Sequence, residues 1–181
     1  PTTWLLWGGP FVLLIVAVFA FRMFVKTADG RLAWDRFKLR IPIAGKIIRK
    51  ATLARFARSF AMAARSGVPI VQGLSLTGQV VENAWIEKKL EDMRMGVERG
   101  ESVLRTAVAS GVFTPVVLQM VMVGEESGSL DDMMLEIADM YQREVEYELK
   151  TLSAQIEPIL IVTLGIMVLI LALGVFLPMW D

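Results

Sequence analysis

The chain has 181 residues, 19 basic and 19 acidic, and 55% of it is hydrophobic. Soluble domains of this length sit nearer 45–50% apolar, and the same excess excludes disorder. With no cysteine and no histidine, a Cys/His zinc site, a cysteine nucleophile, a haem histidine ligand and a Ser-His-Asp triad are all impossible.

Residues Pro1–Phe21 carry no charge, and neither do Ile159–Leu177. A helix rises about 1.5 Å per residue and a bilayer's hydrocarbon layer is about 30 Å thick, so each stretch is long enough to span. Trp4 and Trp7 flank the first and Trp180 follows the second, where interfacial tryptophan is expected. A signal peptide would carry its basic residues before the apolar run, and here they follow it. Between Arg22 and Arg65 there are 12 basic and 2 acidic residues; between Ser66 and Lys150 there are 7 basic and 15 acidic. The positive-inside tendency places the middle in the cytoplasm and both termini outside. The expected organisation is a transmembrane helix at 1–24, a basic juxtamembrane linker at 25–46, a cytoplasmic helical module at 47–155, a second transmembrane helix at 156–178 and a periplasmic tail at 179–181.

In the linker, Asp29-Gly30 is a turn signal. Arg36-Phe-Lys-Leu-Arg-Ile-Pro42 alternates basic and apolar residues, and Pro42 biases Ile41 toward extended backbone. An extended pose would put Phe37, Leu39 and Ile41 into the membrane interface and set Arg36, Lys38 and Arg40 against anionic lipid headgroups. An edge strand is the plainer alternative. A nucleic-acid patch lacks the interleaved aromatics it would need.

The remainder reads as six helices, an all-α antiparallel bundle. In the first, from Ile47 to Ser66, Leu53, Phe56, Phe60 and Ala63/Ala64 make an apolar face, and Arg55, Arg58 and Arg65 lie opposite. Gly67 suits the left-handed C-terminal cap, and Pro69 the first turn of the next helix, to about Val80. Asn83 caps a third helix running to Arg99, and a short fourth covers Ser102–Ser110. Thr114-Pro115 opens a fifth, to about Gly124. Ser129 and Asp132 have capping-box spacing. The sixth helix carries Leu130, Met134, Ile137, Tyr141, Val145, Leu149, Leu152 and Ile156 at helical period. Glu157-Pro158 would then open the second span, where proline is tolerated and an acid suits the helix dipole.

Ser66-Gly-Val-Pro-Ile70, Gly100-Glu-Ser102, Gly111-Val-Phe113, Val123-Gly-Glu-Glu-Ser-Gly-Ser-Leu-Asp131 and Glu157-Pro158 occur in an order that resembles the type II secretion F family. These are inner-membrane platform proteins of type II secretion systems and type IV pili. Asp29-Gly-Arg31, Asp35 and Leu39–Gly45 are similar to that family's linker. Members usually hold two helical modules and three spans, so this chain resembles the C-terminal half and reads as a fragment or processed piece of a longer protein.

The resemblance implies a non-enzymatic platform, a homo-oligomer without cofactor or metal. Its expected partners are a hexameric secretion or pilus-assembly ATPase, pilins or pseudopilins, other inner-membrane assembly proteins and membrane lipids, with no nucleic acid. No GxxxxGK[ST] phosphate loop occurs, so energy must come from a partner. The implied motif residues are Gly67, Val68, Pro69, Gly124, Glu125, Ser127, Gly128, Glu157 and Pro158. Gly67 and Gly128 suit tight turns, and Gly124 a helix end or a close helix approach. Glu125 could accept from amides at a nearby helix start or pair with Arg55 or Arg58. Glu125, Glu126, Asp131 and Asp132 offer oxygen ligands without EF-hand spacing. Glu157 could meet a basic group on another span or on an incoming subunit. Arg36, Lys38, Arg40, Arg55, Arg58 and Arg65 are candidate lipid or partner contacts. A membrane sensor with a helical signalling module is the competing reading, but its usual phosphoacceptor histidine is missing. A transporter or membrane enzyme would need clustered polar residues in the spans, which offer only Thr163. Between pilus and secretion machines, the general resemblance leans to the type IV pilus.

Overall fold

The computed structural model describes residues 3–176, with side chains from residue 11 onward. The expected tail at 179–181, the outer ends of both expected spans and Trp180 lie outside the described residues, as do the Trp4 and Trp7 side chains. The described chain is all helical: α1 Thr3–Lys26, α2 Ala28–Lys38, α3 Ala44–Arg65, α4 Ile70–Val80, α5 Ala84–Glu98, α6 Val103–Ser110, α7 Pro115–Ser127 and α8 Leu130–Phe176.

Two expectations are corrected at the end of the bundle where the apolar helices attach. The linker is not extended. Thr27 breaks α1, its hydroxyl accepts from Gly30 N at 3.2 Å, and α2 leaves at 100° to the preceding helix. Asp29-Gly30 therefore lies in the first turn of α2, and the chain turns at Thr27. Pro42 still prevents α2 from running into α3, because the residue before proline is disfavoured as helix. The second correction concerns Pro158. The sixth expected helix and the second span are one 47-residue helix, with Pro158 inside it. Proline removes one backbone donor and crowds the preceding turn, yet α8 runs on through it. At about 1.5 Å per residue, α8 is about 70 Å long. It is long and apolar enough to cross a membrane; Phe11–Lys26 meets the same measure only together with α2 across the bend.

The core forms where α3 lies antiparallel along the first half of α8. Leu53, Phe56, Ala57, Phe60 and Ala61 of α3 are buried against Met134, Ile137, Ala138 and Tyr141 of α8. Their spacing of three and four residues makes one apolar stripe on each helix. Leu74 of α4, Ile86, Leu90 and Met93 of α5, Ala107 of α6, and Val117 and Val121 of α7 complete the core. α8 leaves this packing after Val145: Tyr147 is 71% exposed, and Leu149 and Ile156 are 47% and 46% exposed. The apolar stripe expected to run on through Leu149, Leu152 and Ile156 keeps its period, but among the described residues Leu149 and Ile156 are exposed and Leu152 is only half-buried.

Short polar side chains set the helix starts. Asn83 accepts from Trp85 N and Ile86 N, both at 3.1 Å, and Ser102 accepts from Arg105 N at 3.1 Å. Ser129 departs from the capping-box expectation. Its hydroxyl lies 2.6 Å from Ser127 Oγ, and Asp132 turns to Arg65.

Candidate functional site

The motif residues from two distant stretches meet at one end of the bundle. At the end of α3, Gly67 takes φ +81°, and Val68 N reaches back to Ala63 O at 3.1 Å. At the end of α7, Gly128 takes φ +72°, and Ser129 N reaches Gly124 O at 3.0 Å. Both are left-handed helix stops that a Cβ would strain. Pro69 is the N-cap residue of α4 rather than part of its first turn, and its carbonyl accepts from Gly73 N. Val68 is half-buried beneath the turn.

Arg65 bridges the two turns. Its guanidinium donates to Asp132 at 2.7 Å and lies 3.9 Å from Asp131. The Asp132 carboxylate beside it raises the Arg65 pKa. α8 leads away from these turns toward its apolar half. Twenty-five residues separate Asp132 from Glu157, about 37 Å of helix. The turns thus form the end of the bundle farthest from the apolar segment of α8.

Behind this surface, Glu125 has a structural task. Its Oε1 accepts from Val103 N at 2.7 Å and its Oε2 from Leu104 N at 3.0 Å. With Ser102 on Arg105 N, the first three amides of α6 are all satisfied. An eight-residue helix is marginal alone, and a carboxylate at its positive end is the arrangement that stabilises it. Of the two roles open to Glu125 in the sequence, the helix-start contact is the one observed: Arg55 pairs with Glu82 and Arg58 with Asp139 instead. Gly124 lies inside α7, so it does not end the helix. A Cβ there would stand 2.9 Å from Met133 Cγ and 3.0 Å from Leu130 Cα, which makes it the close-approach point between α7 and α8. Ser127 folds its hydroxyl back onto Val123 O at 2.6 Å. Among the described residues, no three acids converge as a metal-holding cluster.

The basic face of α3 is occupied by its own chain. Lys50 meets Glu144 and Glu148 at 3.1 and 3.3 Å, Arg58 meets Asp139 at 3.0 Å, and Arg65 meets Asp132. This ladder joins the basic and acidic halves of the sequence in antiparallel register. Arg55, Arg58 and Arg65 remain about half exposed, so they present paired, not free, charge. Partial burial of Lys50 works against its charged form, but the two glutamates prevail and raise its pKa.

At the other end, Arg36, Lys38 and Arg40 do not form one row. Lys38 turns back to Asp35 at 2.7 Å. Asp35 is 3% exposed, and its Oδ2 accepts from Ala84 N at 2.8 Å, while Asn83 Nδ2 donates to Asp35 O. Asp35 therefore joins α2 to the start of α5, as Glu125 joins α7 to the start of α6. Only its tertiary position reveals this role. Arg36 and Arg40 are exposed without an acidic partner among the described residues. Phe37 is 57% exposed and Ile41 39%, whereas Leu39 packs on the core, so the expected trio of interfacial side chains is divided. Phe37 stacks on Trp34, which meets Phe21 edge-on at 4.9 Å between centroids. Glu157 and Pro158 lie exposed on α8 where its apolar half begins.

The architecture and motifs agree with the sequence comparisons. The family model for type II secretion system (T2SS) protein F matches residues 56–178. The chain belongs to the type II secretion system protein F family. A type IV pilus assembly protein PilC of Thermus thermophilus is 40% identical over 95% of this chain and 43% of its own length. A type II secretion system protein F of Pseudomonas aeruginosa is 33% identical over 95% of this chain and 43% of its own. A PilC of Myxococcus xanthus is 34% identical over 93% and 40%. The chain thus spans about two-fifths of the length of these relatives. Pilus and secretion proteins both stand among them, so membership in this family does not separate the two machines.

Proposed function

We propose that this chain is the C-terminal part of a non-enzymatic inner-membrane platform that couples a cytoplasmic hexameric ATPase to insertion of pilin or pseudopilin subunits into a growing fibre. α1 and the second half of α8 are its two spans, both termini are periplasmic, and the bundle is cytoplasmic. Arg36, Arg40, Phe37 and Ile41 lie against the inner leaflet. Copies assemble through the membrane segments, and Glu157 meets a basic group of another span or of an arriving subunit there.

The observation that carries this reading is the continuity of α8. One unbroken helix begins at Asp131 and Asp132, beside the two motif turns, and ends in an apolar segment. A displacement imposed on the distal turns by a motor would reach the bilayer through about 70 Å of hydrogen-bonded helix, with no loop to absorb it. Arg65, Gly67, Val68, Pro69, Ser127 and Gly128 are the proposed motor-facing surface, and Glu125 keeps that end of the bundle rigid.

The test replaces Thr151, Leu152 and Ser153, which lie between the bundle and the apolar segment, with glycines in the full-length protein. The expected result is loss of fibre production or secretion, while the protein still enters the membrane, copurifies with the ATPase and melts at its usual temperature. Normal fibre output from that variant would overturn the coupling role.

A further inference from the structure

The corner between α1 and α2 is held by specific contacts. Thr27 Oγ1 donates to Phe24 O at 2.6 Å and accepts from Gly30 N, and Arg31 N closes on Thr27 O at 2.8 Å. Gly30 is buried in the corner, where a Cβ would run into the Phe24 carbonyl. Farther along α2, Asp35 accepts from Ala84 N at the start of α5. These contacts fix α2 at 100° to Phe11–Lys26. If α1 follows the bilayer normal, α2 lies in the plane of the surface.

The two sides of α2 differ. Gly30, Trp34 and Phe37 recur at four and three residues, so they share one side. That side looks toward α1: Trp34 meets Phe21 edge-on, and Phe37 stacks on Trp34. Asp35, a quarter-turn or more away, looks toward the bundle. Phe37 is exposed, and the apolar surface continues through exposed Ile41 and Ile43. Aromatic side chains at the foot of an apolar helix suit the boundary between headgroups and acyl chains.

Charge is the second observation. Between Arg22 and Ile43 there are six basic residues and two acidic ones, Asp29 and Asp35. Asp35 takes Lys38. Arg22, Lys26, Arg31, Arg36 and Arg40 are exposed and have no ion-pair partner among the described residues. Asp29, in the first turn of α2, is the one acid left to oppose them. Lys50, Arg58 and Arg65 of α3, by contrast, are each paired with an acid of α8.

We propose that the α1–α2 corner is a binding surface for anionic phospholipid. The side of α2 bearing Trp34 and Phe37, with Ile41 and Ile43, seats in the headgroup–acyl boundary, and the unpaired cations beside it hold acidic headgroups. This rests on the membrane placement proposed above and adds the lipid class which that placement selects. Charge complementarity identifies the occupant: a surplus of free cations beside an exposed aromatic surface matches an acidic leaflet.

The test reconstitutes the full chain in phosphatidylcholine bilayers carrying a fixed fraction of brominated phosphatidylglycerol or brominated phosphatidylcholine. Tryptophan quenching is measured, and a Trp34→Phe variant isolates the Trp34 signal by difference. Brominated phosphatidylglycerol is expected to quench Trp34 at least twofold more than brominated phosphatidylcholine. The preference should shrink in about 1 M salt, where the screening length is about 3 Å. An Arg31→Gln/Arg36→Gln/Arg40→Gln variant, changed only at exposed positions, should keep its melting temperature and quench equally with both lipids. Equal quenching in the unmodified chain, or a preference that survives the triple variant, overturns the proposal and leaves the membrane placement standing. Quenching of Trp34 by neither lipid means that protein covers this side of α2, and it overturns both.

Discussion

The two halves of α8 share one backbone geometry and contrast in everything else. From Leu130 to Val145 the helix buries Met134, Ile137, Ala138, Tyr141 and Val145, and its acids meet the bases of α3. From Tyr147 to Phe176 nearly every apolar side chain is exposed, Leu160, Val168 and Leu171 each by about 60%. The first half is amphipathic, and protein covers its stripe. From Ile159 onward the second is apolar all round, which a helix tolerates only where the surroundings are themselves apolar. One continuous element therefore passes from a protein-packed to a lipid-ready environment without a joint, and the contrast shows where stability is made and where it is only transmitted.

The sharpest way to break the contrast is to make the same kind of cut in each environment. Phe60→Ala, opposite the packed half, should destabilise the bundle by about 3–5 kcal/mol. Val168→Ala in the apolar half should leave the thermal melt of the bundle, followed by circular dichroism in detergent, unchanged. Equal losses would mean that the two halves fold as one unit.

Glu125→Ala removes two charge-assisted hydrogen bonds to the start of α6 and should cost about 2–3 kcal/mol. Hydrogen exchange should show the amides of Val103 and Leu104 losing protection first, while the α3–α8 contact keeps its own. Gly128→Ala forces a Cβ into left-handed backbone and should cost about 1 kcal/mol, measurable as a shift of the denaturant midpoint. The ion-pair ladder should matter least. Arg65→Ala at the half-exposed end of α3 should change stability by about 0–1 kcal/mol while weakening copurification with the proposed ATPase partner.

The ladder also has a predicted pH signature. The folded pKa of Lys50 lies above its ordinary value of 10.5. Its stabilising contribution is therefore complete below that value and is lost as pH rises through the folded pKa. Glu91 behaves oppositely: Arg94 lowers its pKa, so its contribution holds above the ordinary carboxylate value and is lost as pH falls through the folded one. Melts of a Glu144→Gln/Glu148→Gln double variant across acid and alkaline pH should lose the high-pH decline that Lys50 causes and keep the acid-side decline from Glu91.

Most of the helices were legible in the residues themselves. Leu53, Phe56 and Phe60 mark one face by spacing, Asn83 and Ser102 mark starts, and Gly67 and Gly128 mark stops. These signals act over three or four residues, a range within which sequence and local geometry are nearly the same thing. The linker misled for a related reason. Alternation over Arg36–Pro42 resembles a strand, but Asp35 has a buried partner at Ala84, 49 residues away, and that contact holds α2 in its helical form. Pro158 misled as a boundary because a proline's local penalty is visible in the sequence, whereas the continuity that outweighs it is not.

By itself, then, the sequence determined the all-helical class, the caps and stops, the apolar segments and the division of charge, since each follows from residue type at short range. Only the tertiary structure decided that the two motif turns meet across Arg65, that Glu125 and Asp35 each hold the start of another helix, and that the basic face of α3 is paired with acids of α8. Those are contacts between groups tens of residues apart. Their geometry depends on how α3 and α8 settle against one another, and no local periodicity carries that information.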